Sequence, residues 1–296
     1  MNRDALSKCH PAVSFFFFAG TILFSMLNRH PLYLLAGILS GAVYLILLDG
    51  RRTYKTVGGT LPLFLLITGV NPLFNTRGNT VLFWLLERPY TLEALLFGAA
   101  VAGAFVMVIL WFRCYSIVLT EDKFTALFGT AFPALSLLLI MIFRMIPNVA
   151  RKANQINAAR CSVGMGTAEN EGVLYKVKHG TVILGALISL SLEESVMTGD
   201  SMRARGYGIA KRSSFMRYQM TAQDAVLSIV MALLFVTALI FSLQGFAEAV
   251  FLPEIHITKP TGMFWIGFSA YTAYLLLPTM LTIKEDVQWY ISRSEI

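Results

Sequence analysis

The stretch Phe124-Thr-Ala-Leu-Phe-Gly-Thr-Ala-Phe-Pro-Ala-Leu-Ser-Leu-Leu-Leu-Ile-Met-Ile-Phe143 contains no charged residue after its entry and is long enough to cross a bilayer as a helix, although Gly129 and Pro133 interrupt it. Whether it crosses decides the topology. If it and the shorter apolar run 181–192 both cross, Arg144, Arg151, Lys152, Arg160, Lys176 and Lys178 all lie outside. If neither crosses fully, residues from about 113 to 217 form a cytoplasmic, partly membrane-hugging helical domain. With the N-terminus inside, only Arg29, Arg77, Arg88 and Lys259 then lie outside. Each Lys or Arg biases its loop toward the cytoplasm, so the second arrangement is favoured.

The composition supports a membrane setting. Of 296 residues, 56% are hydrophobic and only 14% charged, with a mean hydropathy of +0.65; a soluble domain is roughly a quarter charged. The apolar runs do not alternate with polar residues, so helices are expected rather than a β-barrel. The formal net charge of +7 is explained by positive-inside bias and anionic headgroups, and no nucleic-acid partner is expected. Cys9, Cys114 and Cys161 are scattered and odd in number, which argues against a disulfide framework or paired metal ligands.

Outward from the deciding stretch, Pro11–Leu27 reads as a retained membrane helix rather than a cleaved signal, for it lacks a small-residue cleavage pattern. Asn28-Arg-His-Pro31 makes a tight turn into a second helix over 31–48, and Arg51, Arg52 and Lys55 mark a cytoplasmic loop. A third span covers 57–74. Residues 80–86 read as a short apolar turn of helix, and Thr91 as the N-cap of a fourth span ending at Phe112. Two closing spans cover 222–246 and 262–283. The expected fold is therefore an all-α integral membrane protein with about six transmembrane helices and a cytoplasmic helical domain inserted after the fourth. Its divisions are 1–112, 113–221 and 222–296, both termini lie in the cytoplasm, and no internal repeat is evident.

Catalytic chemistry is hard to build from this inventory. The sequence has no GxxxxGK[ST] nucleotide loop, no GxSxG, and no His or carboxylate cluster with metal spacing. Glu193-Glu194 reads as a solvated face beside a basic region. No ionisable residue lies deep inside the clean spans, as an ion or proton relay would require. A non-catalytic protein without cofactor or bound metal is expected. An autonomous secondary transporter is the alternative, and it would call for broken helices at the midplane or repeats.

What remains is the basic domain and, within it, Asp200-Ser-Met-Arg-Ala-Arg-Gly-Tyr-Gly208. Residues 200–205 are expected to end a helix, with Gly206 as the left-handed residue that stops it. Arg205 can serve its own helix dipole there. Alternatively it presents a rigid guanidinium to an acidic groove on a partner, with Ala204 and Gly206 allowing close backbone approach.

At these residues the sequence resembles the transmembrane T component (EcfT) of energy-coupling factor (ECF) transporters, which are ABC-type importers of vitamins and transition-metal ions. The likeness is strongest at Thr198-Gly-Asp-Ser-Met-Arg-Ala-Arg-Gly-Tyr-Gly208 and continues through Arg212-Ser-Ser-Phe215 and Tyr218 to Asp224. Asn71-Pro-Leu-Phe-Asn-Thr-Arg-Gly78, Thr91-Leu-Glu93 and Phe143-Arg-Met-Ile-Pro147 also resemble family patterns. The resemblance implies a multi-pass subunit in the cell membrane of a prokaryote. It would link two cytosolic ABC ATPases to a membrane-embedded, substrate-binding S component, with Ala204-Arg205-Gly206 as one ATPase-coupling motif. For the other motif two registers stay open. Asn157-Ala-Ala-Arg160 places Arg160 in that role but has Cys161 where glycine is expected; alternatively Gly164 is the glycine and Val163 stands in the arginine position.

Single cysteines placed near Asn154 and Gly172 should react with a membrane-impermeant thiol reagent only after the cells are opened. Labelling of intact cells would overturn the four-plus-two arrangement.

Overall fold

A computed structural model describes residues 5–76, 78–85, 88–129, 132–165, 172–209, 218–252, 255–258 and 260–294. The chain divides into two compact units, one of residues 1–124 with 218–296 and the other of residues 125–217.

The first unit is a helical bundle. It contains α1 (Ala5–Lys8), α2 (Pro11–Leu27), α3 (Pro31–Asp49), α4 (Thr53–Phe74), α5 (Leu92–Val118), α9 (Ala222–Leu243) and α10 (Gly262–Ser294). Helix α6 (Glu121–Gly129) leads out of it. Helices α2 and α3 start alike: His10 and His30 each accept a backbone N–H through Nδ1, from Ala12 at 3.2 Å and Leu32 at 3.3 Å, and Pro11 and Pro31 follow at the first helical position. Proline suits that position because its missing N–H would have no helical partner. Thr91 caps α5 as expected, its Oγ1 accepting from the Ala94 N–H at 3.4 Å.

Helix α5 packs on α2, α3 and α4, and α10 packs on α3 and α9. Between them lies an aromatic core that includes Phe17, Phe18, Phe24, Tyr33, Tyr44, Trp111, Phe264, Tyr271 and Tyr274. Three of its polar atoms find acceptors on the backbone, whereas Tyr33 OH is buried without a partner. Trp111 Nε1 donates to Gly37 O at 3.1 Å, Tyr274 OH to Phe17 O at 2.9 Å and Tyr271 OH to Tyr33 O at 3.2 Å. Close approach needs small residues on the facing helices. A Cβ on Gly37 would fall 2.3 Å from Met107 Sδ, and one on Gly41 would fall 3.0 Å from Trp111 Nε1. Membrane helices commonly pack through small residues in this way.

The N-terminal segment ties several of these helices together. Lys123 Nζ donates to Ser7 O (2.6 Å), Ser7 Oγ (2.7 Å) and Val118 O (3.0 Å), closing the C-terminal ends of α1 and α5. Lys8 pairs with Glu285 of α10 at 2.9 Å. The His10 N–H reaches Asp224 Oδ1 at 3.4 Å, and the His10 ring meets the edge of Tyr218. Asp224 also completes a capping box with Thr221 at the start of α9.

Three expectations change. Residues 80–85 do not form a turn of helix: β1 (Val81–Leu85) pairs antiparallel with β2 (Arg88–Thr91), where Val81 and Trp84 supply strand-favouring side chains; residue 86 lies outside the described residues. The fourth span does not stop at Phe112. Helix α5 runs on through Arg113, whose guanidinium pairs with Asp49 at 2.8 Å, and the second unit begins only at residue 125. The opening stretch is two helices, α6 ending at Gly129 and α7 (Pro133–Ser162) starting at Pro133, where the sequence breaks were read.

Six described helices are long and apolar enough to cross a membrane, α3, α4, α5, α9, α10 and the Lys176–Ala204 part of α8 (Val173–Ala204). The sequence reading counted α2 instead of α8. At 17 residues α2 is the shorter of the two, about 26 Å against a hydrocarbon core of about 30 Å. Short strands also pair at β3 (Ala249–Val250) and β4 (His256–Ile257).

Replacing Trp111 by alanine should lower stability by about 3–5 kcal/mol, read as an earlier thermal unfolding midpoint of the detergent-solubilised protein. Trp111→Phe, which keeps most of the ring volume but removes the N–H, should cost less.

Candidate functional site: two glycine-capped helix ends

The second unit is built on α7 and α8. Helix α8 ends where the sequence placed its stop. Gly206 has φ +76°, its N–H reaches Arg203 O at 2.9 Å, and the Tyr207 N–H reaches Met202 O at 3.0 Å. These two bonds form a Schellman motif, which satisfies carbonyls that the helix end would otherwise leave unpaired. Ala204 is the last helical residue, Arg205 the cap and Gly206 the turn residue. All three sit together as expected, and Arg205 is exposed, with no ion pair to it among the described residues.

Helix α7 ends in the same way. Gly164 also has φ +76°, its N–H reaches Cys161 O at 3.1 Å, and the Met165 N–H reaches Arg160 O at 2.9 Å. Aligning the two caps puts Gly164 opposite Gly206, Val163 opposite Arg205, and Ser162 opposite Ala204. Gly164 therefore matches Gly206 in backbone conformation, and Val163 stands opposite Arg205.

Arg160 lies most of a turn earlier and faces inward. Its Nη2 is 3.4 Å from His179 Nδ1 on α8, and its Nε is buried without a partner. Arginine only donates, so His179 Nδ1 must accept and the ring proton belongs on Nε2, which lies 3.1 Å from Asn157 Oδ1. Arg160 thus belongs to a polar stitch between α7 and α8. A second stitch joins Lys152 to Glu194. Glu194 was read as part of a solvated face, whereas it is half-buried in an ion pair. Neither stitch was visible in the sequence, because its partners are separated by 19, 22 and 42 positions and share no periodicity.

The apolar content of this unit is mostly on its outside. Leu187 is the one large hydrophobic residue reported as buried among the described residues of the unit, while Leu135, Leu138, Ile142, Met145, Leu184, Ile188, Leu192 and Met197 are exposed. A surface of this kind needs lipid or another protein to cover it.

The sequence matches no protein-family model and no curated protein.

A Cβ on Gly206 would meet Ile209 Cδ1 at 3.4 Å, an ordinary contact, so Gly206→Ala should be penalised by its positive φ alone, by about 1–2 kcal/mol. Faster amide exchange of Tyr207 and Gly206, with the rest of α8 unchanged, is the expected readout.

Proposed function

We propose that this chain is the non-catalytic, membrane-embedded coupling subunit of an ECF-type importer in a prokaryotic cell membrane. It would pass the motion of two cytosolic ABC ATPases to a substrate-binding S component. The observation that carries this reading is the α8 end, where an exposed Arg205 stands between Ala204 and a glycine-locked turn, in the sequence context that resembles the family's coupling motif.

The geometry suits a transmitter of force. Helix α8 has 32 residues, a rod of about 48 Å. The Schellman turn fixes the direction in which Arg205 leaves it, and a guanidinium can engage a partner carboxylate through two parallel hydrogen bonds. His179 marks the α7 end of the pair, because it meets Arg160 there. Some 25 residues separate it from Ala204, so the two glycine-capped ends stand about 38 Å apart along α8. Lys176, Lys178 and Arg203 on α8 favour a cytoplasmic position for this unit with α2 as the crossing helix. The exposed apolar faces of α7 and α8 would meet the S component and the bilayer.

Arg205→Glu should insert normally into the membrane yet lose about tenfold or more in ATPase co-purification, with uptake abolished; Arg205→Lys should be intermediate. Undiminished co-purification and uptake by Arg205→Glu would refute the role. Transport by the purified chain alone in vesicles would instead mark an autonomous secondary transporter.

A further inference from the structure

Helices α2 and α9 begin at the same end of the bundle, because the His10 N–H reaches Asp224 Oδ1 at 3.4 Å. Further in they meet on a common floor. A Cβ on Gly20 would fall 2.5 Å from Tyr274 Oη and 2.9 Å from Phe235 Cε2. Beside that contact the short side chains of Ala12, Ala19 and Ala232 leave a cavity of about 620 Å3. It runs from Ala12 to Leu23 along α2 and is lined near the start of α9 by Met220 and Ser228. Ala19, Leu23 and Ala232 are exposed, so the cavity is a groove open at its side.

Chemistry and size both limit the occupant. The two hydroxyls in the lining already donate to the backbone, Ser228 Oγ to Asp224 O at 2.8 Å and Tyr274 Oη to Phe17 O at 2.9 Å. The other lining side chains are apolar, and water needs two or more polar partners to settle in a cavity. From Ala12 to Leu23 the helix advances about 17 Å, which gives the groove a mean section of about 40 Å2. A helix with its side chains is about 10 Å across, a section of about 80 Å2, and does not fit. An extended hydrocarbon chain is a single methylene wide and does. The length agrees as well, for one leaflet is about half of a hydrocarbon core about 30 Å thick, and α9 is long and apolar enough to cross that core. At the surface end Lys8 is paired with Glu285, and Asp224 is engaged by Thr221 and the His10 N–H. Neither charge is free to select a headgroup.

We propose that the groove between α2 and α9 is a lipid site, which takes one acyl chain of a phospholipid from the leaflet in which both helices begin and selects it by its hydrocarbon, not by its headgroup. The acyl chain completes the seam between the two helices. Lipid tails surround the bundle in any case, so the gain is close packing in a fitted slot rather than escape from water. The site depends on the membrane setting alone and is independent of the coupling role proposed above.

The test reconstitutes the unmodified full-length chain in nanodiscs of phosphatidylethanolamine and phosphatidylglycerol with a trace of a phospholipid carrying a diazirine at the end of one acyl chain. After illumination, the label should sit on Leu23 and Phe235 of the groove at least about fivefold above Leu233 and Val236, which are exposed on α9 outside it. Equal labelling of the four overturns the site. As a second measurement, Ala19→Phe combined with Ala232→Phe fills the groove, and native mass spectrometry should show about tenfold less phospholipid retained after detergent exchange, with Leu233→Phe unchanged. Retention undiminished in the filled variant, or a preference above about tenfold for one of the two headgroups, also overturns it. Finally, benzoylphenylalanine in place of Leu23 should form a phospholipid adduct in the host membrane; a polypeptide adduct there assigns the groove to a protein and overturns the proposal.

Discussion

Inside a bilayer no water is at hand to satisfy a stranded N–H or O–H, and this constraint shapes the first unit. Its core is unusually aromatic, and the rings with polar atoms would be costly there if left unpaired. Trp111, Tyr271 and Tyr274 meet it by donating to helix carbonyls of Gly37, Tyr33 and Phe17, while the Tyr33 hydroxyl is left buried and unpaired. Each bond requires the donor's helix to lie close to the acceptor's, which is why Gly37 and Gly41 sit where a side chain would collide with Met107 or Trp111. The hydrogen bonds and the small residues are one solution, since removing either disturbs the other.

The second unit is assembled on a different principle. Its two long helices bury little apolar surface and are joined by polar stitches, Lys152 to Glu194 and Arg160 to His179 to Asn157. Ion pairs with exposed members contribute modestly to stability, so the pair of helices is not held by a core of its own. It offers rods with defined ends and apolar flanks awaiting a cover.

Much of this was legible in local sequence, because local rules govern helix ends and spans. Gly129 and Pro133 announced the break between α6 and α7, Thr91 the start of α5, and Gly206 the stop of α8. The β1–β2 hairpin was missed because a short apolar run has no periodicity that separates strand from helix. The inward placement of Arg160 was also beyond the sequence, because it depends on His179, a partner 19 positions away. Exposure of the α7 and α8 hydrophobics could not be read either, since composition says that a side chain is apolar and not what covers it.

The N-terminal segment has a consequence for the order of events during synthesis. Ser7 and His10 emerge from the ribosome first, yet their partners Lys123 and Asp224 follow more than a hundred and more than two hundred residues later. Those partners flank the inserted unit, one just before residue 125 and the other just after residue 217. Ser7 can therefore be fastened to Lys123 before the inserted unit is made, whereas His10 must wait until the whole of that unit has followed. Only when α9 begins can His10 meet Asp224 and the two passages of chain be fastened to the same short segment, so a nascent chain halted before that point lacks half of its fastening.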